Sequence, residues 1–475
     1  MKRRCVWNGY KQNELSELEE ISFIYRNFID HSKTERECVK TVIGMARDNG
    51  YISLIEAKQQ ARGLKAGDKV YVNYMDKAVV LFLIGEKPVS EGMNILGAHI
   101  DSPRIDIKPN PLFDDEGYAY LDTHYYGGIK KYQWLAEPLA LHGVIIKKDG
   151  TRSDMEIGEA ENSPVLTITD ILPHLGVKQA EKTVKDMVDG EKHLNLLVGN
   201  RPGDSDEGDQ EQSVKRRILE LLEREYGMEE EDFLSAELEL VPAGKAKECG
   251  LDKSMILAYG QDDRVCVFSS VWAMLKKENV NRTACCLLVD KEEIGSVGPG
   301  GMTTRFFENA AAAILELTEP YSERKLRVML SQSYLLSSDV SAGYDPMYDD
   351  CFEKKNASFL SKGMVLSKYT GSRGKSGSND ANPEYMAALR RLMDDNHIGW
   401  QTAEIGAVDV GGGGTIAYLM AAYGMEVIDC GIPVLSMHSL WEVSSKADIY
   451  EAVKGYKTFL DFNGMISLQE REGLR

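Results

Sequence analysis

Two adjacent glutamates, Glu292 and Glu293, close the apolar run Leu287-Leu288-Val289-Asp290 and stand just ahead of Gly295. Neighbouring carboxylates at the end of a buried strand repel each other. A cation that pairs one of them while the other stays free as a base removes that conflict. Four more residues of ligand type stand at comparable places: His99 after the run from Asn94, Asp262 ahead of a helical stretch, Asp339 after the run ending at Leu336, and His438 just after the run Glu426–Gly431. Singly, each has an ordinary explanation, because acids are common in solvated loops and lone histidines are more often surface or hydrogen-bonded core residues. Together they form a pattern. Open α/β sheets collect ligand chemistry outside the carboxyl ends of their strands, and two of only 8 histidines follow apolar strands here.

Two imidazoles and several carboxylates suit zinc or another borderline divalent ion. Three acids and two imidazoles are enough for two ions if one carboxylate bridges, leaving room for a shared water whose pKa falls toward neutrality. Glu292, beside a ligand but itself unbound, would then be the general base. Asp101 lies two residues from His99 and so on the same strand face, where it could hold the imidazole tautomer.

Alternating strands and helices must position these residues. Leu15, Leu18, Ile21, Ile24, Tyr25 and Phe28 recur at helical spacing over 13–32, and a second helix is expected over 34–49 behind the candidate cap Ser32. Lys69–Tyr74 and Ala78–Gly85 read as a strand pair across a polar turn. After Pro103 the texture changes to turns and short alternating runs, with Leu139–Ile146 suited to an antiparallel sheet. Tyr125-Tyr126-Gly127-Gly128 reads as a structural turn, 203–212 as an acidic loop, and Val214, Ile218, Leu221 and Leu222 as an amphipathic helix ending near Tyr226-Gly227. From about 246 strands again alternate with long helices, which is the signature of an α/β layer fold. Thr283–Asp290, the run Arg327–Leu336 and Glu426–Gly431 are the strand-like stretches there, with a helix from Thr415 and a last one over Lys446–Phe462.

At 475 residues the chain exceeds one ordinary core, and 43% apolar with 28% charged residues is a globular balance, so two domains are expected. The net charge of -19 argues against nucleic acid or an anionic membrane as partner, since both need clustered Lys and Arg. No two of the eight cysteines have the two-residue gap of structural zinc or redox motifs, so they read as free thiols of a reducing, cytoplasmic compartment. No secretory h-region or membrane-length apolar stretch is seen.

The segments His99-Ile100-Asp101-Ser102-Pro103, Asp262-Asp263-Arg264, Glu292-Glu293-Ile294-Gly295-Ser296, Ser338-Asp339 and Met437-His438-Ser439, in this order, resemble the aspartyl aminopeptidase and aminopeptidase I family of dinuclear zinc exopeptidases. The likeness covers nearly the whole chain. It implies an α/β fold: a three-layer α/β metallopeptidase domain with a mixed central sheet, formed by 1–103 and 246–475, plus an inserted β-rich oligomerisation domain at 104–245. It also implies that His99 binds one ion and His438 the other, that Asp262 bridges, that Glu293 and Asp339 complete the two sites, and that Glu292 is the base. Lys368, Gly413 and Met437 resemble substrate-side positions. The expected activity is hydrolysis of the N-terminal peptide bond of short peptides with a free N-terminus, with two Zn2+ per subunit (Co2+ or Mn2+ as alternatives) and a homo-oligomer, a dodecamer being the candidate size. The alternatives are a related dinuclear amidohydrolase, such as a deacylase, and a non-catalytic assembly protein on the same fold. The chain departs from the aspartyl members at two places: Asp339–Pro346 carries no histidine, and Lys178 stands where a second histidine follows Pro173-His174-Leu175. A preference for acidic N-terminal residues therefore does not carry over.

Overall fold

The computed structural model describes residues 4–60, 62–203, 213–371 and 374–464. From 204 onward the expected acidic loop lies outside the described residues. The chain forms two compact units, one of Met1–Asp101, Ala246–Met437 and Glu442–Arg475, the other of Ser102–Lys245 with His438–Trp441.

The first unit is built on a nine-stranded sheet. In chain order its strands are β1 (Ile52–Ser53), β2 (Lys69–Tyr74), β3 (Ala78–Leu83), β4 (Asn94–His99), β5 (Ala284–Val289), β6 (Tyr334–Ser337), β7 (Met364–Ser367), β8 (Trp400–Thr402) and β9 (Glu426–Gly431). They lie in the order β1-β2-β3-β5-β4-β6-β9-β7-β8. β5, β4, β6 and β9 run parallel, whereas β3 pairs antiparallel with β5 and β7 with β9, so the sheet is mixed. The central strands are buried at every position because both faces are covered. Val79, Leu81 and Leu83 of β3 enter one buried cluster with the helices Gln12–Asp30, Glu35–Asp48, Gln261–Leu275, Pro383–Asp395 and Lys446–Phe459. Ala78, Val80 and Phe82 enter another with Phe306–Thr318 and Glu323–Ser331. Each fully buried leucine or valine contributes about 1.5–3 kcal/mol, so these two layers carry most of the unit's stability.

Two local expectations are corrected. The helix Glu35–Asp48 is capped by Thr34 and not Ser32: Thr34 Oγ1 accepts from Glu37 N at 3.3 Å and Glu37 reaches back to Thr34 N at 3.1 Å. Both residues precede a glutamate by three positions, and the capping box closes two residues later than expected. The run Arg327–Leu336 is not one element; the helix Glu323–Ser331 ends before β6 begins.

A five-stranded sheet in the same unit orders Lys247–Cys249, Met255–Ala258, Glu442–Ser445, Pro433–Leu435 and Ser341–Ala342. It leads directly into Gly260, which turns the chain at φ +70°, and Gln261.

The second unit is an antiparallel six-stranded sheet in the order Arg152–Ile157, Leu139–Ile146, Ala236–Pro242, Arg104–Asp115, Tyr118–Tyr126, Leu196–Gly199. Its inward alternate residues, among them Leu139, Leu141 and Ile145, pack with Trp134 and Val214. The amphipathic helix spans Ser213–Tyr226.

Candidate metal centre

His99 ends β4 with its ring 2% exposed, at the carboxyl edge where β4, β5 and β6 run parallel. Its Nε2 lies 3.2 Å from Asp262 Oδ1 and 4.0 Å from Asp339 Oδ1. Its Nδ1 lies 3.0 Å from the Asp101 carbonyl oxygen and 3.3 Å from Asp101 Oδ1. Asp262 and Asp263 open the helix Gln261–Leu275 but are themselves non-helical, and the peptide between them is cis. Gln261, fully buried, pins this turn by donating to the carbonyls of Ile256 and Glu442, and Asp262 N donates to Glu442 Oε2 at 3.0 Å. The two aspartates then point to different tasks: Asp262 faces the imidazole, whereas Asp263 Oδ2 accepts the His99 backbone N–H at 3.3 Å.

The doubled acid sits on a short 3-10 turn, Glu292–Ile294, entered through Lys291 at φ +69° and left through Gly295 at φ +94°. Asp101 shapes this turn as well. Its Oδ1 accepts from Glu292 N at 3.1 Å and its Oδ2 from Glu293 N at 3.2 Å. One carboxylate thus ties the His99 strand to the glutamate turn, a second role that the sequence spacing to His99 alone does not reveal.

One ligand-type atom each from His99, Asp262, Asp263 and Asp339 falls within 4.8 Å of the others, and the same holds for His99, Glu292 and Glu293. Asp263 and Asp339 are driven well above the usual carboxylate range, first by burial and then by neighbouring acids, with His99 pulling the other way. Burial opposes a charge on His99, but hydrogen bonds to Asp101 and Asp262 and the charges of Asp263 and Asp339 outweigh it, so its pKa rises. An added cation would let these crowded acids around one imidazole keep their charges, and this oxygen-and-nitrogen donor set fits a divalent ion such as zinc.

His438, Met437, Lys368 and Gly413 are the remaining candidates. His438, at φ +64°, belongs to the short segment that groups with the second unit, where its Nδ1 lies 3.1 Å from the Gly128 carbonyl oxygen. A Cβ on Gly128 would stand 3.3 Å from that nitrogen, which gives the Gly127-Gly128 turn a reason beyond turning. Met437 packs partly buried against the first unit's core. Lys368 is hydrogen-bonded to Asp380, which Lys375 Nζ also reaches at 2.8 Å. Gly413 lies in an irregular segment with open space where its Cβ would be. Sequence reading did not single out Asp429, whose Oδ1 accepts a hydrogen bond from Thr415 Oγ1 at 2.6 Å.

Residues 28–460 match the family described as aminopeptidase I zinc metalloprotease (M18). The chain is 52% identical over 456 residues to a probable M18 family aminopeptidase 1 of Clostridium acetobutylicum, covering 96% of this chain and 97% of that one. It superposes on the crystal structure of an M18 family aminopeptidase from Thermotoga maritima with a TM-score of 0.92 at 40% identity, covering 97% of this chain and 99% of that one. A more distant likeness in fold is the mApe1 dodecamer of S. cerevisiae, with a TM-score of 0.74 at 22% identity over 93% of this chain and 96% of that one.

Proposed function

Because the chain belongs to the M18 family of aminopeptidase I zinc metalloproteases, we propose that it removes the N-terminal residue of short peptides with Glu292 as general base. The observation that carries this reading is the cluster of buried His99 and Asp262 with half-buried Asp339, and the half-buried Glu292 and Glu293 beside it on a turn fixed by Asp101. His99, Asp262, Glu293, Asp339 and His438 would hold two zinc ions, with Asp262 shared. Bound there, the ions would lower the pKa of a water molecule, polarise the scissile carbonyl and engage the substrate's free amine.

The chain's own residues supply the rest. Asp101 keeps the His99 Nδ1 side occupied, which leaves Nε2 for coordination. Asp263 accepts the His99 backbone N–H and so fixes where the strand end stands. Glu292 takes the proton from the attacking water and delivers it to the leaving amide nitrogen. Lys368, Gly413 and Met437 would line the substrate side. The second unit is proposed as the oligomerisation domain, in an assembly of up to the dodecamer that the yeast mApe1 structure has; sedimentation as a monomer would remove that part. All eight cysteines are free, which agrees with a cytoplasmic setting. Among the described residues no helix is long and apolar enough to cross a membrane.

The deciding experiment offers the zinc-loaded protein a panel of short peptides with free amines against the same peptides N-acylated. Turnover of the free-amine set alone is expected. Turnover of the acylated set would make the protein a deacylase.

A further inference from the structure

One pleat below the acid cluster, the same strands carry a second polar row. Gly97, Ser337 and Asp429 are register partners across β4, β6 and β9. They stand two residues before His99, Asp339 and Gly431, and by the two-residue period of a strand Gly97 faces the same side of the sheet as His99. That side is otherwise apolar: Ile95, Leu335, Ile416 and Val427 share one buried cluster. A carboxyl group is costly in such a place, and a leucine would fill it at lower desolvation cost.

Asp429 is 3% exposed there. Its Oδ1 accepts a hydrogen bond from Thr415 Oγ1 at 2.6 Å, and the same Thr415 oxygen accepts from Ala417 N at 3.2 Å. Burial pushes the Asp429 carboxyl up to about 7, against the pull of the Thr415 and Ser337 hydroxyls. What the pair adds over an apolar contact is direction, because a hydroxyl held at both ends fixes the backbone that carries it.

That backbone is the exit of the glycine run Gly411–Gly414. Ile416, the next residue, closes over Gly97, where a Cβ would come within 3.2 Å of its Cδ1. Gly412 stands at φ +126°, a conformation other residues rarely adopt, and Gly413 has nothing within 4 Å of its Cβ position. The run is therefore tethered at its exit to the row just beneath His99 and Asp339.

We infer that Asp429 is a positioning residue: through Thr415 it seats the backbone of Gly411–Gly414 beside the carboxyl ends of β4 and β6, where that backbone meets the N-terminal residue of a bound peptide. This rests on the aminopeptidase reading above.

The test compares full-length wild type with Asp429→Ala, Thr415→Val and the conservative pair Asp429→Asn and Thr415→Ser. Three quantities are read: steady-state kinetics on a free-amine aminoacyl substrate, zinc content, and hydrogen exchange over 411–416. Asp429→Ala and Thr415→Val are expected to raise KM about tenfold with kcat little changed, to bind as much zinc as wild type, and to exchange faster over that segment. The Asn and Ser variants, which keep an oxygen at each end of the bond, are expected to restore KM to within about twofold. Unchanged KM and exchange in Thr415→Val would overturn the inference, as would a rise in KM that comes with lost zinc or that the conservative variants fail to rescue. Should Asp429→Ala not fold, the threonine pair decides. A wild-type protein inert on every free-amine substrate removes the parent reading and this inference with it; a turning-over wild type whose variants keep its KM removes this inference alone.

Discussion

Asp448 and Asp339 are both acids drawn into the first unit, yet they are held in opposite ways. Asp448, wholly buried in the first turn of the helix Lys446–Phe459, accepts Ser361 N at 2.6 Å on one oxygen and Gly363 N at 2.7 Å on the other. Nearby Lys446, 1% exposed, is matched by Glu19 and Glu248 at 2.7 Å each. Across the sheet's end, Asp262, Asp263 and Asp339 instead gather around one imidazole. Burial of charge is thus not what marks a site. The mark is acids facing acids around an imidazole, a crowding that an added cation relieves.

The largest effect that would break this comparison comes from Glu292, the proposed base. Glu292→Gln is expected to fold, to keep its zinc and to lose about a thousandfold in kcat, because it removes the proposed proton carrier and leaves the five proposed ligands in place. Near wild-type turnover in a metal-replete preparation would sink the division of labour between Glu292 and Glu293. Next comes Asp339→Asn. Zinc affinity, followed by competition with a chromogenic chelator, is expected to fall by about a hundredfold or more. The metal-free variant should melt no lower than the metal-free parent, since one repelling acid is gone. A lower melting temperature without metal would mean that Asp339 is a structural acid like Asp448.

Asp448→Ala tests the other side. Two buried backbone N–H groups lose their acceptor, and each costs about 1–3 kcal/mol, so chemical denaturation should report a loss of several kcal/mol with zinc stoichiometry unchanged. A loss of zinc with intact stability would erase the contrast between the two regions.

These contrasts were unevenly legible in the chain. The strand ends carrying His99, Glu292 and Asp339 could be read because apolar runs buried on both faces stop abruptly at charged residues, and a parallel sheet puts such stops along one edge. The antiparallel texture of the second unit was legible from alternation, as in Leu139–Ile146. What escaped was set by tertiary contact. Nothing local marks Asp101 as the acceptor for Glu292 and Glu293, which lie 191 and 192 residues away along the chain. The boundary between Glu323–Ser331 and β6 is hidden inside one apolar stretch, where periodicity is too short to separate helix from strand. Asp429 looked like one polar interruption of a strand, and only the register with Ser337 and the reach of Thr415 give it a role. The segment around His438 follows a first-unit strand in sequence yet groups with the second unit, which no spacing could announce.

The smallest effect is also the one that separates the regions most cleanly, because it can be read without substrate. Burial raises the Asp448 carboxyl from 3.8 to about 8, with Glu451 pushing the same way and the N–H groups of Ser361, Lys362 and Gly363 pulling it down. The folded protein therefore holds a proton on Asp448 over a window in which the unfolded chain has released it. Between about pH 4 and pH 8 the unfolded state binds fewer protons, so stability from this group is whole below the lower limit and declines as pH rises, by at most about 1.4 kcal/mol per pH unit. Asp429, raised to about 7, adds a slope of the same sign. Asp448→Asn cannot titrate, so denaturant midpoints taken from pH 5 to pH 8 should fall less steeply than in the parent. The test is best run on the Glu292→Gln background with saturating zinc, so that the acid cluster is held by its ions and contributes little change of its own. An unchanged slope would mean that the backbone donors keep Asp448 ionised throughout. The acids remote from the cluster would then be neutralised by hydrogen bonds alone, and protonation would play no part in how this fold buries them.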